Sequence, residues 1–173
     1  ITILAPDLKG RYEILETHCR KVKLAEEVNL EQIAHFSSGF TGAELASLVN
    51  EAALLTARKG KSVVDQASFD LARDRILLGV ERKGMVLTEE DKKILAYHEA
   101  GHAIVAKLLP DADPIHKITI IPRGRSMGQT QQLPLGDRHA YGKRYLLDRI
   151  TMLLGGRAAE KLVFNEFTTR TEN

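Results

Sequence analysis

The chain has 173 residues, 43% hydrophobic and 28% charged, enough apolar content for one ordinary soluble domain or two small ones. A net charge of +2 with scattered basic residues argues against nucleic-acid binding, and the single cysteine, Cys19, excludes an internal disulfide and a CxxC metal site. No stretch approaches the roughly 18 apolar residues of a membrane span, so the chain is expected to be soluble, with its lone thiol in a reducing compartment.

Ile1-Thr2-Ile3-Leu4 reads as a strand without a basic leader or initiating methionine, so the chain is expected to be a fragment of something larger. Four helices are expected next. The first runs from Asp7 to about Lys21 with Leu8, Tyr12, Ile14, Leu15 and Cys19 on one face. A short one covers Leu30 to Phe36, and Ser37-Ser38-Gly39-Phe40 is a loop. Thr41, with Glu44 three residues on, opens the third through a capping box, and its stripe of Leu45, Leu48, Val49, Ala52 and Leu55 runs to Lys59 before Gly60. The fourth spans about Asp65 to Leu78. Residues 80–87, short and charged, read as a linker.

Beyond the linker, Thr88 and Asp91 form a second capping pattern, and Ile94, Leu95, Ala100, Ile104, Val105, Leu108 and Leu109 give a half-buried helix that Pro110 stops. A strand is expected at about His116 to Ile121, and a short second one near Thr130 to Leu133. A long helical region starts at Asp137 and buries Leu146, Ile150, Met152, Leu153, Leu154, Ala158, Ala159 and Leu162. Within it, Gly155-Gly156 marks a bend or a close-packing point.

His98-Glu99-Ala100-Gly101-His102 is an HExxH pattern in the middle of the capped helix. Positions i and i+4 share a helix face, so His98 and His102 can grip one metal ion, and Gly101 leaves space beside them. Zinc suits two neutral imidazoles with an open water position, and Glu99 stands where a carboxylate can take a proton from that water. The chemistry this favours is hydrolysis of a polarised amide. A third protein ligand is needed. Glu160 is one candidate, with Asp111, Asp113, Asp137 and Asp148 weaker; His116 and His139 fit no short ligand spacing, and Leu108 excludes the HExxHxxGxxH pattern. The strand at His116 to Ile121 is read as a cleft edge to which an extended peptide can add.

Three segments occur in order: Ala96-Tyr97-His98-Glu99-Ala100-Gly101-His102-Ala103, Lys117-Ile118-Thr119-Ile120-Ile121-Pro122-Arg123-Gly124 and Leu154-Gly155-Gly156-Arg157-Ala158-Ala159-Glu160. They closely resemble the peptidase domain of FtsH-type, membrane-anchored, ATP-dependent zinc metalloproteases. Gly10-Arg11-Tyr12-Glu13-Ile14-Leu15-Glu16-Thr17-His18 and Ser38-Gly39-Phe40-Thr41-Gly42-Ala43-Glu44-Leu45 resemble the helical lid of an AAA ATPase. The resemblance implies a mainly α chain: a four-helix AAA lid at 1–79, a linker at 80–87, and at 88–173 the first part of a mostly helical, zincin-like peptidase domain with a small β element, truncated.

By that resemblance His98 and His102 bind zinc, Glu99 is the catalytic base, and His18, Gly42 and Ala43 line the adenosine pocket. The full-length parent is expected to use ATP with magnesium. It would assemble as a homo-hexamer, or a hetero-hexamer with paralogues, and unfold and cut unstable or membrane proteins. It would be held in a bacterial inner membrane or an organelle membrane by segments absent from this chain. No GxxxxGK[ST] loop is present, so the chain itself is expected to lack ATPase activity and to be weak or inactive as a peptidase. The family's third zinc ligand is an Asp that would fall just beyond Asn173, and Arg170-Thr171 stand where the family has Gly-Ala. Two rival readings are a peptidase-dead AAA scaffold or chaperone, and a stand-alone zincin using Glu160 as third ligand.

Overall fold

A computed structural model of the chain describes residues 4–124, 126–134, 136–137 and 140–168. Thr169 to Asn173, with the Arg170-Thr171 departure, lie outside the described residues, as do His139 and the first three residues of the expected N-terminal strand. Two compact units are present, Ile1–Gly79 and Val80–Asn173.

The first unit holds α1 (Leu8–Cys19), α2 (Leu30–Phe36), α3 (Gly42–Arg58) and α4 (Gln66–Leu78). Each begins at a side-chain cap: Asp7, Asn29, Thr41 and Asp65 each accept from a backbone N–H of the first turn. At Thr41 the capping box is reciprocal, the Glu44 carboxylate accepting from the Thr41 N–H at 2.7 Å. The core gathers Leu15, Ile33, Leu45, Leu48, Val49 and Phe69 from all four helices. Arg11 is buried as well, its Nε donating to the Ala34 carbonyl at 2.8 Å, which ties α1 to α2 through an ionic group that no apolar periodicity reveals. On α4 Leu77 is half exposed, while Arg73 and Asp74 are buried.

In the second unit, α5 (Glu89–Leu108) and α6 (Lys143–Phe164) pack together, and β1 (Ile115–Thr119) and β2 (Gln129–Gln132) form an antiparallel hairpin against α5. Residues 80–87, expected as a linker, contribute backbone hydrogen bonds to the hairpin's loop: Arg82 N–H to the Pro122 carbonyl, and Gly124 N–H to that of Val80. β1 ends at Thr119, not Ile121, because the Ile121 N–H bonds the Thr119 hydroxyl and leaves the ladder. α6 starts six residues later than Asp137, behind Gly142, which supplies no side-chain cap.

The buried faces of α5 and α6 differ from the expected stripes. Leu108 is 78% exposed, Leu162 is 87% exposed, and Ile104, Leu146, Ile150, Leu153 and Leu154 are also exposed. Leu95, Glu99, Gly101, Ala103 and Ala106 of α5 are buried, as are Met152, Gly155, Gly156 and Glu160 of α6. The reason is backbone proximity. A Cβ on Gly101 would stand 2.3 Å from the Gly155 carbonyl oxygen, and one on Gly155 would stand 2.6 Å from that of Gly101. The helices cross on glycine, and the leucines on either side are carried away from the contact. Gly155-Gly156 is therefore the close-packing point, within a helix that continues to Phe164. Among the described residues no helix is long and apolar enough to cross a membrane.

Candidate metal centre

α5 places His98 and His102 one turn apart and aims both at α6. Their Nε2 atoms lie 3.0 Å from each other. Behind them each ring is anchored through Nδ1: His98 to Glu160 Oε1 at 2.7 Å, and His102 to the Met152 carbonyl oxygen at 2.8 Å. A carbonyl and a carboxylate accept only, so both Nδ1 atoms carry the proton and both Nε2 atoms present a lone pair. Gly156 N–H also approaches His102 Nδ1 at 3.2 Å, but the shorter contact is to the Met152 carbonyl oxygen, which can only accept, and it sets the tautomer.

Two lone pairs facing at this distance repel unless a cation sits between them. A tetrahedral zinc, with nitrogen ligands at about 2.0–2.1 Å, wants them about 3.3 Å apart. The donor set therefore fits zinc with only a slight opening of the pair. Gly156 makes the space: a Cβ there would lie 2.7 Å from Nε2 of each histidine. Among the described residues no third His, Cys, Asp or Glu completes a metal-binding group.

Glu160 is not that third ligand. It is fully buried, and its carboxylate lies behind His98 on the Nδ1 side, away from the Nε2 pair. In that position it fixes the orientation of the His98 ring, a place that carboxylates commonly take behind zinc-binding histidines. Of the weaker candidates, Asp111 pairs with Arg144 at 2.9 Å, the Asp111 N–H bonds Asp148, and Asp113 accepts from Tyr145. These three aspartates serve the junction between the α5–β1 loop and the start of α6.

Glu99 faces the hairpin and is 6% exposed. Thr130 of β2 donates to its Oε2 at 2.7 Å, and the same hydroxyl lies 2.9 Å from the Glu99 backbone oxygen. Gly128 closes the other side, since a Cβ there would stand 2.9 Å from Glu99 Oε1. The hairpin that was expected to offer an edge to substrate thus holds the Glu99 carboxylate. The contacts that Thr130, Gly128 and Gly156 make with the Glu99 and histidine side chains escape sequence reasoning. Only the Gly155-Gly156 pair carries a local signal, because a threonine or glycine in a loop or short strand looks the same whether or not a distant carboxylate meets it.

In the first unit, His18 is exposed on the last turn of α1, and Gly42 and Ala43 open α3. The two helices meet where Gly42 faces Ile14, one turn before His18; a Cβ on Gly42 would be 3.8 Å from the Ile14 Cδ1. Glu44 N–H is capped by Thr41, whereas the N–H groups of Gly42 and Ala43 have no partner within the helix, so they can donate to a polar ligand.

The profile of peptidase family M41 matches residues 85–173, and that of the AAA+ lid domain matches residues 27–71. The chain is similar to the ATP-dependent zinc metalloprotease FtsH 2 of Salinibacter ruber, 51% identical over the whole chain and 25% of that protein. It is 52% identical to the ATP-dependent zinc metalloprotease FtsH of Endomicrobium trichonymphae and 50% identical to that of Myxococcus xanthus, again along its whole length and over 27% of each. It spans about a quarter of the length of the curated relatives it matches.

Proposed function

Since the chain belongs to peptidase family M41, we propose that it is part of an ATP-dependent zinc endopeptidase in which His98 and His102 hold the metal and Glu99 is the general base. The single observation that carries this reading is the convergence of the two Nε2 lone pairs at 3.0 Å with both Nδ1 protons already engaged. Bound there, zinc supplies a Lewis acid that makes water nucleophilic near neutral pH. The chain's own residues do the rest. Glu99 takes the proton from the attacking water and returns it to the leaving amine, and Thr130 and Gly128 hold its carboxylate in one place. Glu160 and the Met152 carbonyl keep both imidazoles in the tautomer that ligates. A third ligand would come from outside the described residues.

His18, Gly42 and Ala43 are proposed to contact adenosine, Gly42 and Ala43 through the N–H groups at the start of α3. The substrates proposed are unfolded and membrane proteins, handled by a hexamer anchored through segments outside this chain. The peptidase-dead scaffold reading loses ground because the HExxH residues are intact and the relatives are named as zinc metalloproteases. The stand-alone zincin reading loses its third ligand once Glu160 is engaged behind His98. The test is zinc stoichiometry and casein cleavage in the full-length protein for the wild type, His98→Ala and Glu99→Gln. The expected pattern is zinc lost in His98→Ala but kept in Glu99→Gln, with cleavage lost in both. Equal zinc content in wild type and His98→Ala would overturn the assignment.

A further inference from the structure

We propose that Thr168 is a positioning residue for the His98 imidazole, acting through the Glu160 carboxylate that the two share. Glu160 has no exposed surface, and its polar partners come from two places 70 residues apart in the chain. His98 Nδ1 lies 2.7 Å from Oε1, Thr168 N–H donates to Oε2 at 2.9 Å, and the Thr168 hydroxyl lies 3.3 Å from Oε1. Thr168 thus spans both oxygens, which fixes the rotation of the carboxyl group about its last bond. Without that, Oε1 would face His98 only in some rotamers.

The turn is built to deliver this contact. Asn165, in the left-handed region at φ 58°, ends α6 and folds the chain back, its N–H still bonded to the Lys161 carbonyl. Phe167 then lies under the Arg157 guanidinium, 4.3 Å from ring centroid to Cζ, with Lys161 Nζ at 5.5 Å. That clasp holds the turn from outside while Thr168 points inward to Glu160. The residues after α6 and the His98 ring are in this way coupled through one buried carboxylate, and partners in that position typically change metal affinity by 10–100-fold.

The zinc arm of the inference rests on the metal reading above; the tautomer arm does not. In the full chain, the His98 tautomer is read by long-range nitrogen NMR without metal, and zinc affinity by competition with a chromophoric chelator. Wild type and Thr168→Ser are expected to hold His98 with its proton on Nδ1 and to bind zinc alike. Thr168→Pro, lacking both donors, should show mixed tautomers and about tenfold weaker zinc binding. A Thr168→Pro protein with native helical circular dichroism and an unchanged His98 tautomer would overturn the proposal. A wild type that binds no zinc, yet loses its His98 tautomer on Thr168→Pro, would sink the metal reading and keep this one. Should Thr168→Pro not fold, hydrogen exchange in the unmodified chain decides. The Thr168 amide is expected to exchange at least tenfold slower than in an unstructured peptide, and exchange at the peptide rate would refute the contact.

Discussion

Replacing Gly101 with alanine should destabilise the second unit, opposite to the usual effect of this change inside a helix. In a solvent-facing helix interior, Gly→Ala gains roughly 1 kcal/mol. Here the added Cβ would meet the Gly155 carbonyl oxygen at 2.3 Å and the Ala159 Cβ at 2.7 Å, against an ordinary contact of 3.4 Å or more. Backbone cannot swing aside as a side-chain end can, so α5 and α6 must separate by about 1 Å. Overpacking of that kind costs roughly 1–3 kcal/mol. The separation also stretches the bonds from His98 to Glu160 and from His102 to the Met152 carbonyl, leaving a buried carboxylate poorly matched at roughly 1–3 kcal/mol more. The net expectation is a loss of about 3 kcal/mol. Urea unfolding followed by tyrosine fluorescence reports mainly on this unit, because Tyr97, Tyr141 and Tyr145 lie in it and only Tyr12 in the other. At an m-value of roughly 1–1.5 kcal/mol per M the midpoint falls by about 2 M. A Gly101→Ala protein as stable as the parent, with unchanged zinc affinity, would refute the glycine-crossing argument.

Other perturbations separate the remaining contacts. In the full-length protein, Thr130→Val should leave zinc binding intact while casein cleavage falls at least tenfold, as Glu99 loses its hydroxyl donor; Thr130→Ser should restore cleavage, and normal activity in the valine variant would remove Thr130 from the site. Thr41→Ala should cost the first unit about 1 kcal/mol in thermal unfolding, since it removes the capping box of its longest helix. The Asp65 carboxyl is held below the ordinary carboxylate range by Lys61, with further hydrogen bonds from Ser68. Its folded value being depressed, it stabilises above the unfolded value of about 3.9 and loses this as pH falls below it. The gap in melting temperature between wild type and Asp65→Asn should therefore narrow from pH 7 to pH 3, and a constant gap contradicts the pairing. Burial raises the Cys19 thiol to about 11, so iodoacetamide at pH 8 should label it only after unfolding.

Local chemistry was legible wherever a signal is contained in a few neighbouring residues. Thr41 with Glu44 and Thr88 with Asp91 announce helix starts because the capping oxygen and the N–H it binds are three residues apart. His98 and His102 announce a paired-imidazole face because the 3.6-residue repeat alone puts both rings on one side of the helix. The hairpin was legible in outline, its ends shifted by one or two residues where Thr119 captures the Ile121 amide.

The faces of α5 and α6 were not legible. Periodicity assumes that apolar side chains define the buried side, whereas this contact is made by Gly101 against Gly155, with two histidines and Glu160 beside it. A carboxylate followed by a lysine, as at Glu160-Lys161, reads as helix surface, and only the arrival of His98 and Thr168 turns it into a buried group with its hydrogen bonds satisfied. The sequence by itself determined the helices, their caps and the pair of imidazoles, because those depend on interactions within one turn of chain. The tertiary structure alone decided which helix faces meet, that Glu160 stands behind His98, and that Thr130 holds Glu99. Those contacts join residues 31 to 62 apart in the chain, and their existence depends on how closely two backbones can approach.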